Sequence, residues 1–163
     1  MISLRHFEES DAEILQTYNL SGKSKDDIIS MIHDWNTLSY HGHYFEMFAI
    51  QNDATVVGSI SIYERSKRIA SLGIEVFAPY RQMGHAYEAM RLLIEFAAKK
   101  GFKIILQQVR TDNLASICLH EKLGFETDGY VYENQKRHKV LIYLMLLNSR
   151  DYQISRLIES LHI

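Results

Sequence analysis

Arg81-Gln82-Met83-Gly84-His85-Ala86 is the stretch from which the fold can be read. An apolar run, Gly73 to Phe77, and the chain's only proline, Pro79, precede it. Tyr87 to Lys100 follows, with Met90, Leu93, Ile94 and Ala97 at helical spacing. The order is strand, tight polar loop, helix. The first amides of such a helix have no acceptor inside it, and their partial positive charge makes an anion site. Gly84 removes a Cβ where an anion approaches the main chain, and Arg81 adds a permanent cation.

Outward from this loop the chain alternates short strands and helices. Upstream, Ile2 to Phe7 reads as a strand. Ser10, with Glu13 three residues on, reads as the start of a first helix carrying Ile14, Leu15 and Tyr18. Ser24 opens a second helix with Ile28, Met31, Ile32 and Trp35 on one face. Tyr44 to Ile50, Thr55 to Tyr63 and Ile69 to Phe77 form an antiparallel meander, with turns at Gln51–Ala54 and Glu64–Arg68. Downstream, Gly101 stops the loop helix, and Lys103 to Arg110 is a mostly apolar strand. Strand, helix and strand in that order make a parallel pair with a crossover. Asp112 or Asn113 caps a further helix that ends at Gly124. Phe125 to Tyr132 and Lys139 to Leu147 are the last strands, and Asp151 to Leu161 reads as a short amphipathic helix. The expected fold class is α/β, one domain over residues 1–163 with a mixed, mostly antiparallel sheet flanked by helices.

A second block, Asn113-Leu-Ala-Ser116-Ile-Cys-Leu119-His120-Glu-Lys-Leu-Gly124-Phe125, stands after the strand that follows the loop helix. Together the two blocks resemble the GNAT superfamily of acetyl-CoA-dependent N-acetyltransferases. Arg-x-x-Gly-x-Ala is similar to its diphosphate loop, and the second block is similar to Asn-x-x-Ala/Ser-Ile-x-Leu-Tyr-Glu-Lys-x-Gly-Phe. The resemblance covers roughly Ile69 to Leu147.

The resemblance implies a splayed parallel strand pair. Main-chain groups at Val76, Phe77 and Ala78 would then be left without a neighbour and bond the pantetheine arm of acetyl-CoA. Amides of Gln82, Met83, Gly84, His85, Ala86 and Tyr87 would hold the diphosphate beside the Arg81 cation, with Asn113 and Ser116 near the cofactor. The reaction implied is direct acyl transfer to a primary amine of a small molecule or a protein N-terminus. A base must deprotonate the amine, and Glu75 is the candidate on the central strand, against the alternative of a structural carboxylate. A backbone N–H near Val76 would stabilise the oxyanion. The family's acid is the Tyr of Leu-Tyr-Glu-Lys. This chain has His120 there, and Tyr130, Tyr132 and Tyr143 are alternatives. The departure keeps a non-catalytic acyl-CoA-binding or regulatory module in view. Trp35, Tyr40, His41 and Tyr44 fall where the family borders its acceptor pocket.

Composition sets the outer bounds. The chain has 163 residues, and 18 basic against 20 acidic side chains leave a net charge of −2, with no footprint for nucleic acid. One cysteine rules out an internal disulfide and fits a reducing, cytoplasmic compartment. No run reaches the ~18 apolar residues of a membrane span. Cys118 reads as a buried filler. Gly22-Lys23-Ser24 lacks the glycine a phosphate loop needs at the place held by Thr17. His33, His41 and His43 have no cysteine or acidic ligand at useful spacing, so no metal is expected. The last strand and helix would permit a homodimer.

Overall fold

A computed structural model describes residues 1–147, and the expected helix over Asp151–Leu161 lies outside the described residues. The elements are β1 (Ile2–Arg5), α1 (Ala12–Tyr18), α2 (Lys25–Trp35), β2 (Ser39–Tyr40), β3 (His43–Asn52), β4 (Thr55–Ser66), β5 (Ile69–Val76), α3 (His85–Lys100), β6 (Ile104–Arg110), α4 (Leu114–Lys122), β7 (Glu126–Thr127), β8 (Tyr132–Glu133) and β9 (Lys139–Leu146). Short 3₁₀ turns at Glu9–Asp11 and Ala78–Tyr80 introduce α1 and the loop before α3. The strands follow the order β1-β3-β4-β5-β6-β9-β7, with β2 also on β3 and β8 on β9.

Contacts gather into two compact units. The first holds Met1–Arg65 and Ser71–Leu93, and the second holds Ser66–Ala70 and the chain from Ile94 onward.

In the first unit β1, β3 and β4 pair antiparallel. A core of Phe7, Leu15, Ile28, Ile32, Ala49 and Phe77 lies between α1, α2 and the sheet. Ser24 caps α2 as its sequence predicts, accepting the Asp27 N–H at 3.1 Å. The start of α1 differs from expectation. Ser10 is not the cap; the Asp11 carboxylate accepts the Glu8 N–H at 2.8 Å and pairs with Arg5 at 2.7 Å. Burial pushes that carboxyl up, but the Arg5 and Glu8 hydrogen bonds outweigh it and hold it below the usual range.

The meander turns are tighter than the sequence predicts. β4 runs on to Ser66, and only Lys67 and Arg68 turn, because Arg68 adopts φ +68°. Ser39 to Tyr44, expected as loop and strand start, is a hairpin with His41 and Gly42 at its tip, both at positive φ. In β3–β4 the register runs Ile50↔Gly58 and then Gln51↔Val56, so Val57 is an extra residue in β4.

In the second unit β5 begins parallel to β6, through Ile69↔Ile104 and Ala70↔Ile105. Among the described residues, parallel register is confined to these two pairs, although β5 continues to Val76. β6 pairs antiparallel with β9 over its whole length. The strand expected over Phe125–Tyr132 is broken into β7 and β8. Gly129 takes φ +79°, and the Asp128 carboxylate accepts from the Tyr130 N–H at 2.9 Å and the Tyr132 hydroxyl at 2.5 Å.

Candidate active site

The residues singled out by the two sequence blocks fall in different units.

In the first unit the end of β5 is fixed from two sides. The Phe77 ring is buried in the core and stacks on Tyr18 at 5.4 Å. Burying such a ring contributes about 2 kcal/mol. The Phe77 N–H donates to Val57 O at 2.9 Å, the carbonyl of the extra residue in β4. One residue on from Val57, a Cβ built on Gly58 would lie 2.2 Å from Glu75 O and 3.0 Å from the Val76 Cα. Only glycine therefore lets the Glu75–Val76 peptide reach β4. The expectation that main-chain groups at Val76, Phe77 and Ala78 lack neighbours needs correcting. The Phe77 amide is taken by Val57, and Arg81 folds back so that its Nε donates to Val76 O at 2.9 Å.

Beyond Phe77, Pro79 fits the first turn of the 3₁₀ segment, and Tyr80 N–H closes on Phe77 O at 2.9 Å. Gln82 then takes φ +61° and Gly84 φ +81°. Gly84 O accepts the Glu88 N–H, so α3 starts at His85, two residues earlier than its sequence predicts. The amides of His85 and Ala86 are first-turn donors. Successive residues alternating into the left-handed region turn neighbouring N–H groups toward one side, the geometry of an anion nest. Arg81, Gln82, Met83 and Gly84 are exposed, while His85, Ala86 and Tyr87 are half-buried. A Cβ on Gly84 would meet nothing within 4 Å, so this glycine answers first to its backbone angle.

Glu75 is exposed on β5 and accepts from Asn19 Nδ2 at 2.5 Å, at the C-terminal end of α1. Of the aromatic candidates, Tyr40 is 55 % exposed. It contacts Phe45 at 5.9 Å and Tyr63 at 6.3 Å. Trp35 and Tyr44 have partners of their own. Trp35 packs at 5.5 Å on Phe7 against the core. Tyr44 lies on the opposite face of β3 from Phe45 by strand alternation, and its hydroxyl donates to the buried Glu46 carboxylate, which also meets His6 at 2.7 Å. Burial, then that carboxylate, raises the Tyr44 phenol pKa far above its usual value.

In the second unit Asn113 caps α4, its side chain accepting the Ser116 N–H at 3.1 Å. His120, one turn on, is buried. Its ring lies 5.0 Å from Phe125 and 5.6 Å from Tyr143. Nδ1 lies 2.7 Å from Ser116 O, which can only accept, so the ring proton belongs on Nδ1. Nε2 then accepts from Gln107 Nε2 at 3.4 Å. Burial pushes the imidazole pKa down, against the opposing pull of the Ser116 carbonyl, so the neutral ring is favoured. The Tyr143 hydroxyl donates to Glu121 Oε1 at 3.2 Å, and burial followed by Glu121 raises its pKa. Cys118 is exposed, not the buried filler expected. Two residues are about 200° apart on a helix, so burying His120 turns Cys118 outward.

Sequence reasoning passed over Gly58, Val57, Asn19 and Gln107. Gly58 alone left a signal, as a lone glycine inside an apolar strand pattern. No helix among the described residues is long and apolar enough to cross a membrane.

A mixed sheet with one parallel pair among the described residues, and a strand that hands over to a helix through a left-handed, amide-rich loop, place the chain in the α/β class. The Acetyltransferase (GNAT) domain family matches residues 2–126, and the chain belongs to it. The SPbeta prophage-derived uncharacterized N-acetyltransferase YokL of Bacillus subtilis (strain 168) is 28% identical over 126 residues, 76% of this chain and 70% of that protein. Among solved structures, RimL, a ribosomal alpha-N-protein acetyltransferase in complex with coenzyme A, aligns with TM-score 0.76 at 17% identity, over 90% of this chain and 94% of its own. Spermidine N-acetyltransferase from Vibrio cholerae, in complex with CoA and spermine, aligns with TM-score 0.73 at 17% identity, over 90% of this chain and 95% of its own.

Proposed function

We propose that this GNAT N-acetyltransferase uses acetyl-CoA and transfers its acetyl group directly to a primary amine, with the whole chain acting as one catalytic domain. The observation that carries the reading is the loop from Val76 to Ala86. Its entry is pinned by Phe77 and Arg81, and its amides are turned by Gln82 and Gly84 toward a helix N-terminus. Such a cradle fits a diphosphate.

Acetyl-CoA, when bound, supplies the activated thioester. The chain's own groups do the rest. Glu75, steadied by Asn19, takes the proton of the attacking ammonium through water, since a protonated amine has no lone pair. The backbone N–H of Val76 would be the donor to an oxyanion developing on the thioester carbonyl. Neutral His120 suits a positioning role better than an acid role, because its one proton is committed to the Ser116 carbonyl. A leaving thiolate of ordinary thiol basicity would then be protonated from solvent.

The acceptor is an amine that reaches Glu75. The relatives with solved structures act on a ribosomal protein in one case and on spermidine in the other. A second reading, an acyl-CoA-binding module without turnover, is favoured by one observation, the burial of His120 where the family pattern has tyrosine.

Calorimetry with coenzyme A, followed by thiol release from acetyl-CoA over an amine panel, tests both readings. Saturable binding with amine-dependent thiol release is expected. Binding without release would leave the module, and no binding would remove both.

A further inference from the structure

On one face of the first unit, β4 and β5 carry two opposite charges at either end of a strip of small residues. The contacts Val57–Phe77, Ser61–Gly73 and Arg65–Ser71 run in opposite senses along the two strands, as antiparallel pairing requires. Alternation then puts Ser59, Ser61, Tyr63 and Arg65 of β4 on one face with Ser71, Gly73 and Glu75 of β5.

Between the charges the surface is low. Gly73 is exposed, and a Cβ there would come within 2.9 Å of Ser61 Oγ. At one end stands Glu75, exposed, with Asn19 as its partner. At the other end the Arg65 guanidinium is anchored by the Ser71 hydroxyl and, among the described residues, has no carboxylate partner. Ser71 to Glu75 spans four residues, about 13 Å along a strand. Tyr63 flanks the Arg65 end, and Tyr40 leans on it edge-on from the His41–Gly42 hairpin.

We propose that the acceptor is a small zwitterion, with its amine at Glu75, its acidic group at Arg65 and a slender middle over Ser61 and Gly73. The proposal rests on the acetyltransferase reading and sharpens its substrate class. A polyamine fits poorly, since its second cation would meet the guanidinium. A short peptide with a free carboxylate fits in length, because three extended residues span about 10 Å. Tyr63 and Tyr40 supply an apolar wall for its side chains.

The test is calorimetry on the full chain with triglycine, its C-terminal amide and spermidine, in the presence and absence of saturating coenzyme A. The acid is expected to bind about tenfold tighter than the amide, the size of effect a charge-assisted hydrogen bond gives. Spermidine should bind more weakly than the acid. Arg65→Gln, at an exposed position, should abolish the difference between acid and amide while leaving coenzyme A affinity unchanged. Equal binding of acid and amide, tighter binding of spermidine, no binding of the acid, or an intact preference in Arg65→Gln would each overturn the proposal. Loss of coenzyme A binding would instead count against the acetyltransferase reading, and the arm without coenzyme A keeps the two failures apart.

Discussion

The loop Arg81–Ala86 and the helix α4 both come from recognisable sequence blocks, yet they are built in opposite ways. The loop works through its main chain. Its side chains from Arg81 to Met83 are exposed, and its shape comes from two left-handed residues and a strand end pinned by Val57. In α4 the backbone is an ordinary capped helix, and the distinctive part is a side chain, His120, enclosed by Gln107, Phe125 and Tyr143. Changes in the first region should therefore act through backbone geometry and charge, and changes in the second through burial and protonation.

Three substitutions press on that contrast, in descending order of expected effect. Gly58→Ala places a Cβ 2.2 Å from Glu75 O, and backbone cannot yield as a flexible side chain does. A loss of about 3 kcal/mol or more in urea unfolding is expected, with weaker coenzyme A binding in whatever remains folded. A stability loss under half a kcal/mol would show that β5 is not held by its approach to β4.

Gly84→Asp should act on binding more than on folding. It sets a carboxylate beside the amides and forces a side chain into φ +81°, so the coenzyme A dissociation constant should rise about tenfold or more while stability falls by about 1 kcal/mol. An unchanged dissociation constant in calorimetry would take the loop out of the binding site.

His120→Phe is the smallest and probes protonation. Because burial holds the His120 imidazole below its ordinary 6.5 in the folded chain, the unfolded chain binds the extra proton first. Stability from this group is complete above 6.5 and declines as pH falls through 6.5 toward the lower folded value. The wild type should lose melting temperature in mildly acidic buffer, and His120→Phe should lose less. Parallel pH profiles for the two proteins would mean that the imidazole is not kept neutral by its surroundings.

Much of the fold was legible because periodicity and capping are local. Ser24 and Asn113 cap the helices their sequences predict, Gly101 and Gly124 take left-handed angles, and the strand–helix–strand order yields the parallel pair. Glu75 and the amide loop were legible as candidates because they stand next to a pattern. What escaped depends on residues far apart in sequence. That Val57 is an extra residue emerges only from its register with β3, and the role of Gly58 only from where β5 passes. Nothing in the neighbourhood of Gln82, Arg68 or His41 announces a positive φ in a residue with a side chain. Cys118 was assigned to the wrong surroundings because composition does not tell which side of a helix faces inward.

The extra residue in β4 has a consequence for engineering. Shortening the chain by Val57 would let Val56 and Gly58 follow one another opposite Gln51 and Ile50, and the hairpin ladder would become more regular. The same deletion would remove the carbonyl that catches Phe77. Redesign that rewards uniform strands would smooth away this irregularity and return a tidier sheet whose Arg81–Ala86 loop has lost its anchor.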